Sequence, residues 1–197
     1  MNLKQSEYLQ YPEEKKLIRF LFIGRIMKDK GIEELIEAAI NIKKTYSNVQ
    51  FDAIGFCEDD YKQKANELEK LGVIRFHGVV NNVNQYINES HAVVLPSYHE
   101  GMANVLLEAA SCGRPVLASN IAGCKETFDE GKSGIGFEVK DTKSLINSLS
   151  TFIDLPYTQK KKMGIEGRKK MEKEFDRQIV VEAYMEEINQ IMLNDVY

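Results

Sequence analysis

Cysteine is scarce: Cys57, Cys112 and Cys124 are the only three in 197 residues. An odd number without ligand spacing excludes a disulfide framework and reads as reduced thiols of a cytosolic protein. No grouping of His, Cys and Asp has the spacing of a metal site, so no metal is expected. No apolar run is long enough to span a membrane. The opening MNLKQSEYLQYPEEKK has no apolar centre and is not a signal peptide. There is no internal repeat and no low-complexity tract. Positive charge is not in excess, with 26 Lys and Arg against 30 Asp and Glu and a pI of about 5.5. That balance argues against a nucleic-acid partner. Three glycine or acid signatures are also missing. No G-x-G-x-x-G follows the first apolar run, which excludes a dinucleotide site of that kind. Gly131-Lys132-Ser133 is not a phosphate loop, because Glu126 stands where the first glycine is required. Gly24-Arg25 closes the first apolar run where a phosphorelay receiver needs an acidic cluster.

What is present is a regular alternation. LIRFLFIG, ending at Gly24, is a short apolar run rich in β formers and predicts a buried parallel strand. The loop Arg25 to Gly31 carries Arg25, Lys28 and Lys30. Ile32, Leu35, Ile36, Ala39 and Ile40 follow at helical spacing. Further strands are predicted over 49–54, 73–76, 92–95, 116–118 and 136–139. A charged helix over 59–71 turns Leu68 and Leu71 inward, and a short helix covers 82–89. Helices over 142–153, 158–174 and 177–192 carry amphipathic aliphatics: Leu145, Leu149 and Phe152, then Val180, Tyr184, Ile188 and Met192. The pattern is an α/β fold, a doubly wound, mostly parallel sheet of about six strands. Such sheets bind ligands beyond the carboxyl ends of their strands. Gly24-Arg25, Gly55, His77-Gly78 and the segment from Pro96 to Gly101 all fall there.

The chain is organised around LPSYHEGMANVLLEAASCGRPV, Leu95 to Val116. It reads as a strand end, a loop closed by Gly101, a helix from Met102, and a stop at Gly113 and Pro115. Met102, Val105, Leu106, Ala109 and Ala110 recur at helical spacing. Glu100 and Glu108 are eight residues apart, roughly 12 Å if all helical, too far for a shared-proton pair. A helix opening offers free N–H groups and a positive dipole end, which suits phosphate. Glu100 capping the helix and Glu108 on a wet face fit the spacing equally well. His91 reads as structural and His99 as a loop residue.

E-G-M-A-N-V-L-L-E-A-A-S-C-G-R-P-V resembles the signature of two glutamates, seven residues between them, of retaining, nucleotide-sugar-dependent glycosyltransferases of the GT-B fold. The likeness is to family four, which builds capsular and other bacterial surface glycans. It runs from about Ile18 to the end and covers the second of that family's two domains. It implies that residues 17–197 are a Rossmann-like nucleotide-sugar-binding domain. Residues 1–16 would be a partly disordered linker, and the N-terminal acceptor domain is absent. It implies that Arg25 and Lys30 hold the donor's diphosphate, with Gly24 at the turn. Glu100 would meet the donor sugar and Glu108 the ribose. The backbone at Gly101, Met102, Ala103, Asn104 and Val105 would meet phosphate and sugar, Val79 and Val80 the base, and Gly55 the turn after the second strand. Relatives often carry glycine where Asn104 and Cys57 stand. The resemblance implies transfer of a hexose or N-acetylhexosamine from a nucleotide diphosphate sugar, UDP-sugar by analogy, to a glycan or lipid-linked acceptor. It implies no cofactor and no metal. A cytoplasmic protein is expected, the full enzyme lying peripherally at the inner membrane face. The last helix offers a face for a homodimer. The alternative is a non-catalytic nucleotide-binding module of the same fold.

Overall fold

The computed structural model describes residues 8–13 and 17–194. Six parallel strands form one sheet: β1 Ile18–Ile23, β2 Val49–Ile54, β3 Ile74–Phe76, β4 Ala92–Leu95, β5 Val116–Ser119 and β6 Gly134–Phe137. Their spatial order is β3-β2-β1-β4-β5-β6. The helices are α1 Ile32–Thr45, α2 Asp59–Lys70, α3 Val83–Glu89, α4 Asn104–Ser111, α5 Thr142–Asp154, α6 Tyr157–Lys170 and α7 Arg177–Asn194. The order reverses between β1 and β4, so right-handed crossovers put helices on both faces and open a crevice at that switch point. Both α/β alternation and parallel pairing thus agree with the sequence.

The core follows from the pleat. β1 pairs with β2 residue for residue from Ile18↔Val49 to Ile23↔Ile54. Phe20 and Phe51 therefore stand side by side, ring centroids 5.2 Å apart, and Phe152 of α5 meets Phe20 edge-on at 5.7 Å. Aromatic pairs in this geometry add to the burial term. On α1 the buried face is Ile32, Leu35, Ile36, Ala39 and Ile42. Ile40, expected inward, is 36% exposed. It lies about 80° round the helix from Ile32, at the margin of the stripe, while Ile42 falls within it. Leu71 is likewise 76% exposed. α2 ends at Lys70, and the chain turns at Gly72 with φ 67°, so Leu71 leaves the helical face and Ala65 joins Leu68 inside.

Three further boundaries differ from expectation. β6 starts at Gly134, two residues early. An added Cβ there would lie 2.6 Å from the Val116 carbonyl oxygen, so only glycine brings this strand against β5. The helix expected over 158–174 gives way after Lys170 to a wider turn, Met171–Phe175, that buries Met171. Residues 8–13, expected as loose linker, are packed: Tyr11 is buried and its hydroxyl donates to His91 O at 3.0 Å. Residues 1–7 and 14–16 of that expected linker lie outside the described residues, as do the side chains of Val180 and Met192.

Arg114 explains the packing of residues 8–13. It has no exposed surface and, among the described residues, no carboxylate partner. Its guanidinium donates instead to the carbonyls of Leu9, Gln10, Ile87, Asn88 and Cys112 at 2.9–3.1 Å. Ile87 and Asn88 end α3 and Cys112 ends α4, so the cation sits where two helix dipoles are negative. One side chain thereby fastens the N-terminal segment to two helices.

Candidate active site

The carboxyl rim of the sheet is built by glycines and short turns. After β1 the chain runs through Gly24 and Arg25 into a tight turn, Lys28–Lys30, closed by Gly31 at φ 70°. An added Cβ on Gly31 would lie 1.9 Å from the Pro96 carbonyl oxygen. The Tyr98 N–H donates to Asp29 O at 2.9 Å. The turn after β1 is thus seated on the loop after β4, next to the switch point. Gly55, at φ 138°, lets the end of β2 touch Gly24, since a Cβ would lie 2.0 Å from the Gly24 oxygen. An isolated parallel bridge between Ile26 and Cys57 extends that contact.

Lys30 and Glu100, seventy residues apart, meet here. The Lys30 Nζ lies 2.5 Å from Glu100 Oε1, with side chains 23% and 15% exposed. Arg25 is 61% exposed and, among the described residues, its ionic partner is Glu58, at 3.9 Å. Lys28 is exposed. The loop carrying Glu100 is held from behind by residues 120–127. Gly123, at φ 83°, is buried against it, and an added Cβ would lie 2.4 Å from Glu100 O. The Ala103 N–H donates to Gly123 O at 2.8 Å, and the Gly123 N–H donates to Glu126 Oε2 at 2.8 Å. The role of Gly123 and Glu126 depends on this long-range approach. Nothing in the local spacing of residues 120–127 signals it.

α4 begins at Asn104 with Ala103 as its cap, not at Met102. The bond from Ala103 to Gly123 O holds Met102 and Ala103 in a turn, and the Ala103 carbonyl accepts from Leu106 and Leu107. Met102 is 43% exposed as a result. Of the four N–H groups expected to face a ligand, Ala103 donates to Gly123 O and Asn104 to Met102 O at 2.9 Å. Those of Met102 and Val105 have no hydrogen-bond acceptor among the described residues. Leu106, Leu107, Ala109 and Ala110 are buried. Asn104 and Glu108, one turn apart, share the open face. The neighbouring protein still desolvates Glu108 enough to push its carboxyl above the ordinary value. Gly101 needs neither a positive φ nor close approach.

At the end of β3, Gly78 turns at φ 66° and its carbonyl accepts from Gly55 N–H at 2.8 Å. Val79 beyond it is 74% exposed, and Val80 packs partly on the core. His77 Nε2 lies 2.8 Å from Asp52 Oδ1, and its ring packs on Tyr86 at 4.8 Å. These two line a polar cleft of about 360 Å³ with Arg19, Arg75, Gln85 and Glu89 on the sheet face beside α3. His91 is buried, its Nδ1 accepting from the Arg19 N–H at 3.2 Å, and His99 is exposed. Among the described residues no group of three or more His, Cys, Asp or Glu is placed to hold a metal. None of their helices is long and apolar enough to cross a membrane.

Sheet order and rim together define a Rossmann-like α/β domain. The chain belongs to the family described as Glycosyl transferases group 1, which it matches over residues 5–170. It is 31% identical over 166 residues to the capsular polysaccharide biosynthesis glycosyltransferase CapM of Staphylococcus aureus, covering 82% of this chain and 43% of that protein. It is 23% identical over 175 residues to an N-acetylgalactosaminyltransferase of Campylobacter jejuni that acts on N,N'-diacetylbacillosaminyl-diphospho-undecaprenol, covering 88% and 45%. The chain thus spans under half the length of these curated relatives. Among solved structures it resembles the C-terminal domain of LpcC, a group 1 glycosyl transferase of Francisella tularensis. That match has a TM-score of 0.74 at 22% identity and covers 89% of this chain and 98% of the other. It also resembles Anabaena HepE in complex with UDP-glucose, with a TM-score of 0.77 at 20% identity, covering 96% and 56%. These likenesses establish the GT-B half-fold.

Proposed function

We propose that this domain binds the donor of a retaining glycosyltransferase that moves a hexose or N-acetylhexosamine from a UDP-sugar to a glycan or lipid-linked acceptor. The observation that carries the reading is the convergence, on one rim, of Lys30, Glu100 and the opening of α4. The complexes of HepE with UDP and with UDP-glucose support the choice of nucleotide. In this reading Arg25 and Lys30 take the diphosphate, a fork and a mobile ammonium matching its oxygens. The unpartnered N–H groups of Met102 and Val105 add the helix-opening contribution. As the sugar–phosphate bond breaks, negative charge grows on the leaving diphosphate. Fixed cations there lower the transition state more than the ground state. Glu100 orients the sugar through its hydroxyls, and Glu108 accepts from the two ribose hydroxyls. Val79, Val80 and the turn at Gly55 border the base, and Gly24, Gly101, Ala103 and Asn104 shape the backbone around the phosphates. No cofactor or metal takes part in this reading, and attack comes from the face the diphosphate leaves.

An N-terminal acceptor domain would supply the other wall of the cleft, so the 197-residue chain alone binds nucleotide weakly and transfers negligibly. In the cell the full enzyme would work at the cytoplasmic membrane face. The test is a thermal-shift titration of this chain with UDP, GDP, ADP and NAD, in wild type and Glu108→Ala. A ligand of the folded state raises its stability by RT ln(1 + [L]/Kd). One nucleoside diphosphate is expected to raise the melting temperature, with affinity falling at least about tenfold in Glu108→Ala as charged hydrogen bonds are lost. Because Glu108 is pushed up, binding should weaken as pH falls while ordinary carboxylates are still ionised. No shift at millimolar nucleotide, or an undiminished shift in Glu108→Ala, overturns the reading.

A further inference from the structure

We infer that Glu100 and Lys30 form a displaceable clasp that sets the domain's preference between a sugar-bearing diphosphate and the bare diphosphate; this rests on the donor-site reading above. Glu100 occupies the ammonium that a diphosphate needs, Nζ to Oε1 at 2.5 Å. Neither group has a second ionic partner among the described residues. Cys124 lies close enough to feel both, its thiol pushed up to about 12 by burial and then by Glu100, with Lys30 opposing.

The clasp is not what holds its loops. Gly31 is seated on the Pro96 carbonyl, Tyr98 N–H bonds Asp29 O, and the Glu100 carbonyl rests on Gly123. Backbone contacts therefore fix both loops whether or not the side chains pair. That leaves the pair free to exchange partners. It is also largely shielded from water, so salt screens it less than a surface pair. A bound diphosphate takes Lys30 and leaves Glu100 beside a negative group with no cation. A diphosphate carrying a sugar offers Glu100 hydroxyl donors in place of the lost ammonium. Bare diphosphate is thus opposed by the re-forming clasp, which favours its release after transfer.

The experiment uses the nucleoside diphosphate that stabilises wild type most and the matching monophosphate, which lacks the terminal phosphate. Binding to wild type, Glu100→Gln, Lys30→Met and the double variant is measured by calorimetry. Glu100→Gln is expected to bind the diphosphate about five- to tenfold more tightly and the monophosphate unchanged. In the Lys30→Met background the same change should give no tightening, since there is no ammonium to release. Plain repulsion by Glu100 would tighten binding equally in both backgrounds, and that result overturns the clasp. So does equal or weaker diphosphate binding by Glu100→Gln alone. If wild type binds no diphosphate at all, the donor-site reading fails first and the clasp with it.

Discussion

Gly123 is the residue on which the geometry of Glu100 most depends. It sits at φ 83°, where an L side chain is strained, and its missing Cβ leaves room for the carbonyls of Glu100 and Gly101. Gly123→Ala must shift one of two backbone segments or leave the left-handed region. The expected cost is about 2–3 kcal/mol, read as a lower urea midpoint. The substitution should also weaken diphosphate binding, because the Glu100 loop and the α4 cap share this contact. Gly72→Ala is the control: its φ is also positive, but an added Cβ meets nothing within 4 Å. It should cost less and leave binding alone. A Gly123→Ala protein as stable as wild type would show that the close approach does not constrain the loop. At this scale the sequence was half legible. Glu100, Glu108, Arg25 and Lys30 stood out because their chemistry and order matched a known pattern. The N–H groups of Ala103 and Asn104 have acceptors within the chain, Gly123 O and Met102 O, set by loop geometry that local spacing does not encode.

Elements were more legible than their ends. Strand and helix alternation follows from hydrophobic period, and β2, β4, α3 and α5 lie within about a residue of expectation. The errors at α4 and β6 arise where a glycine or a cross-chain hydrogen bond moves a boundary. α7 is a different case. Val181, Tyr184, Met185, Ile188 and Ile191 are 41–68% exposed. At 100° per residue they fall within one stripe about 120° wide. Ile179, 43% exposed, lies on the opposite side, so α7 as a whole is only weakly amphipathic, less so than its spacing predicts, and the stripe stays open. Truncation after Asp176 should change folding stability by less than about 0.5 kcal/mol, as for other surface changes. We propose that a second copy of the chain covers this stripe in isolation. Sedimentation should then show self-association that the truncated chain loses. A large stability loss on truncation would mean that α7 buries more than its exposures indicate. Arg114 predicts the opposite outcome. Arg114→Met removes a charged donor from five carbonyls, those of Ile87 and Cys112 in buried bonds, and unfastens residues 8–13, α3 and α4 together. A loss of at least about 3 kcal/mol is expected in urea unfolding.

For the whole molecule, the distribution of hydroxyl and thiol protons makes alkaline pH the weak side. Tyr11, Tyr61 and Tyr98 are all pushed up from the ordinary value of 10.0, in each case first by burial. Tyr61 reaches about 12, helped by Glu33, to which its hydroxyl donates at 3.2 Å. Tyr98 donates to Glu34 at 2.8 Å, so two tyrosines fasten the first turn of α1. Burial also raises Cys112 and Cys124 from 9.0. A group of this kind is neutral when protonated, and its folded value lies above its unfolded one. The unfolded chain therefore releases the proton first, and rising pH draws the equilibrium toward it. The associated stability is complete below the unfolded values. It declines from about pH 9 for the thiols and from about pH 10 for the tyrosines, with the Tyr61 share gone by about pH 12. Urea midpoints should accordingly hold between pH 7 and pH 8.5 and fall steadily above. In the same range the phenolate absorbance of the native chain should lag behind that of the unfolded chain, since three of nine tyrosines resist ionisation. A Tyr61→Phe, Tyr98→Phe double variant should show a shallower decline above pH 10, because it has fewer protons to release. If all nine tyrosines of the native chain instead ionise together near 10, the burial of these hydroxyls and their bonds to α1 are not those of the folded protein in solution.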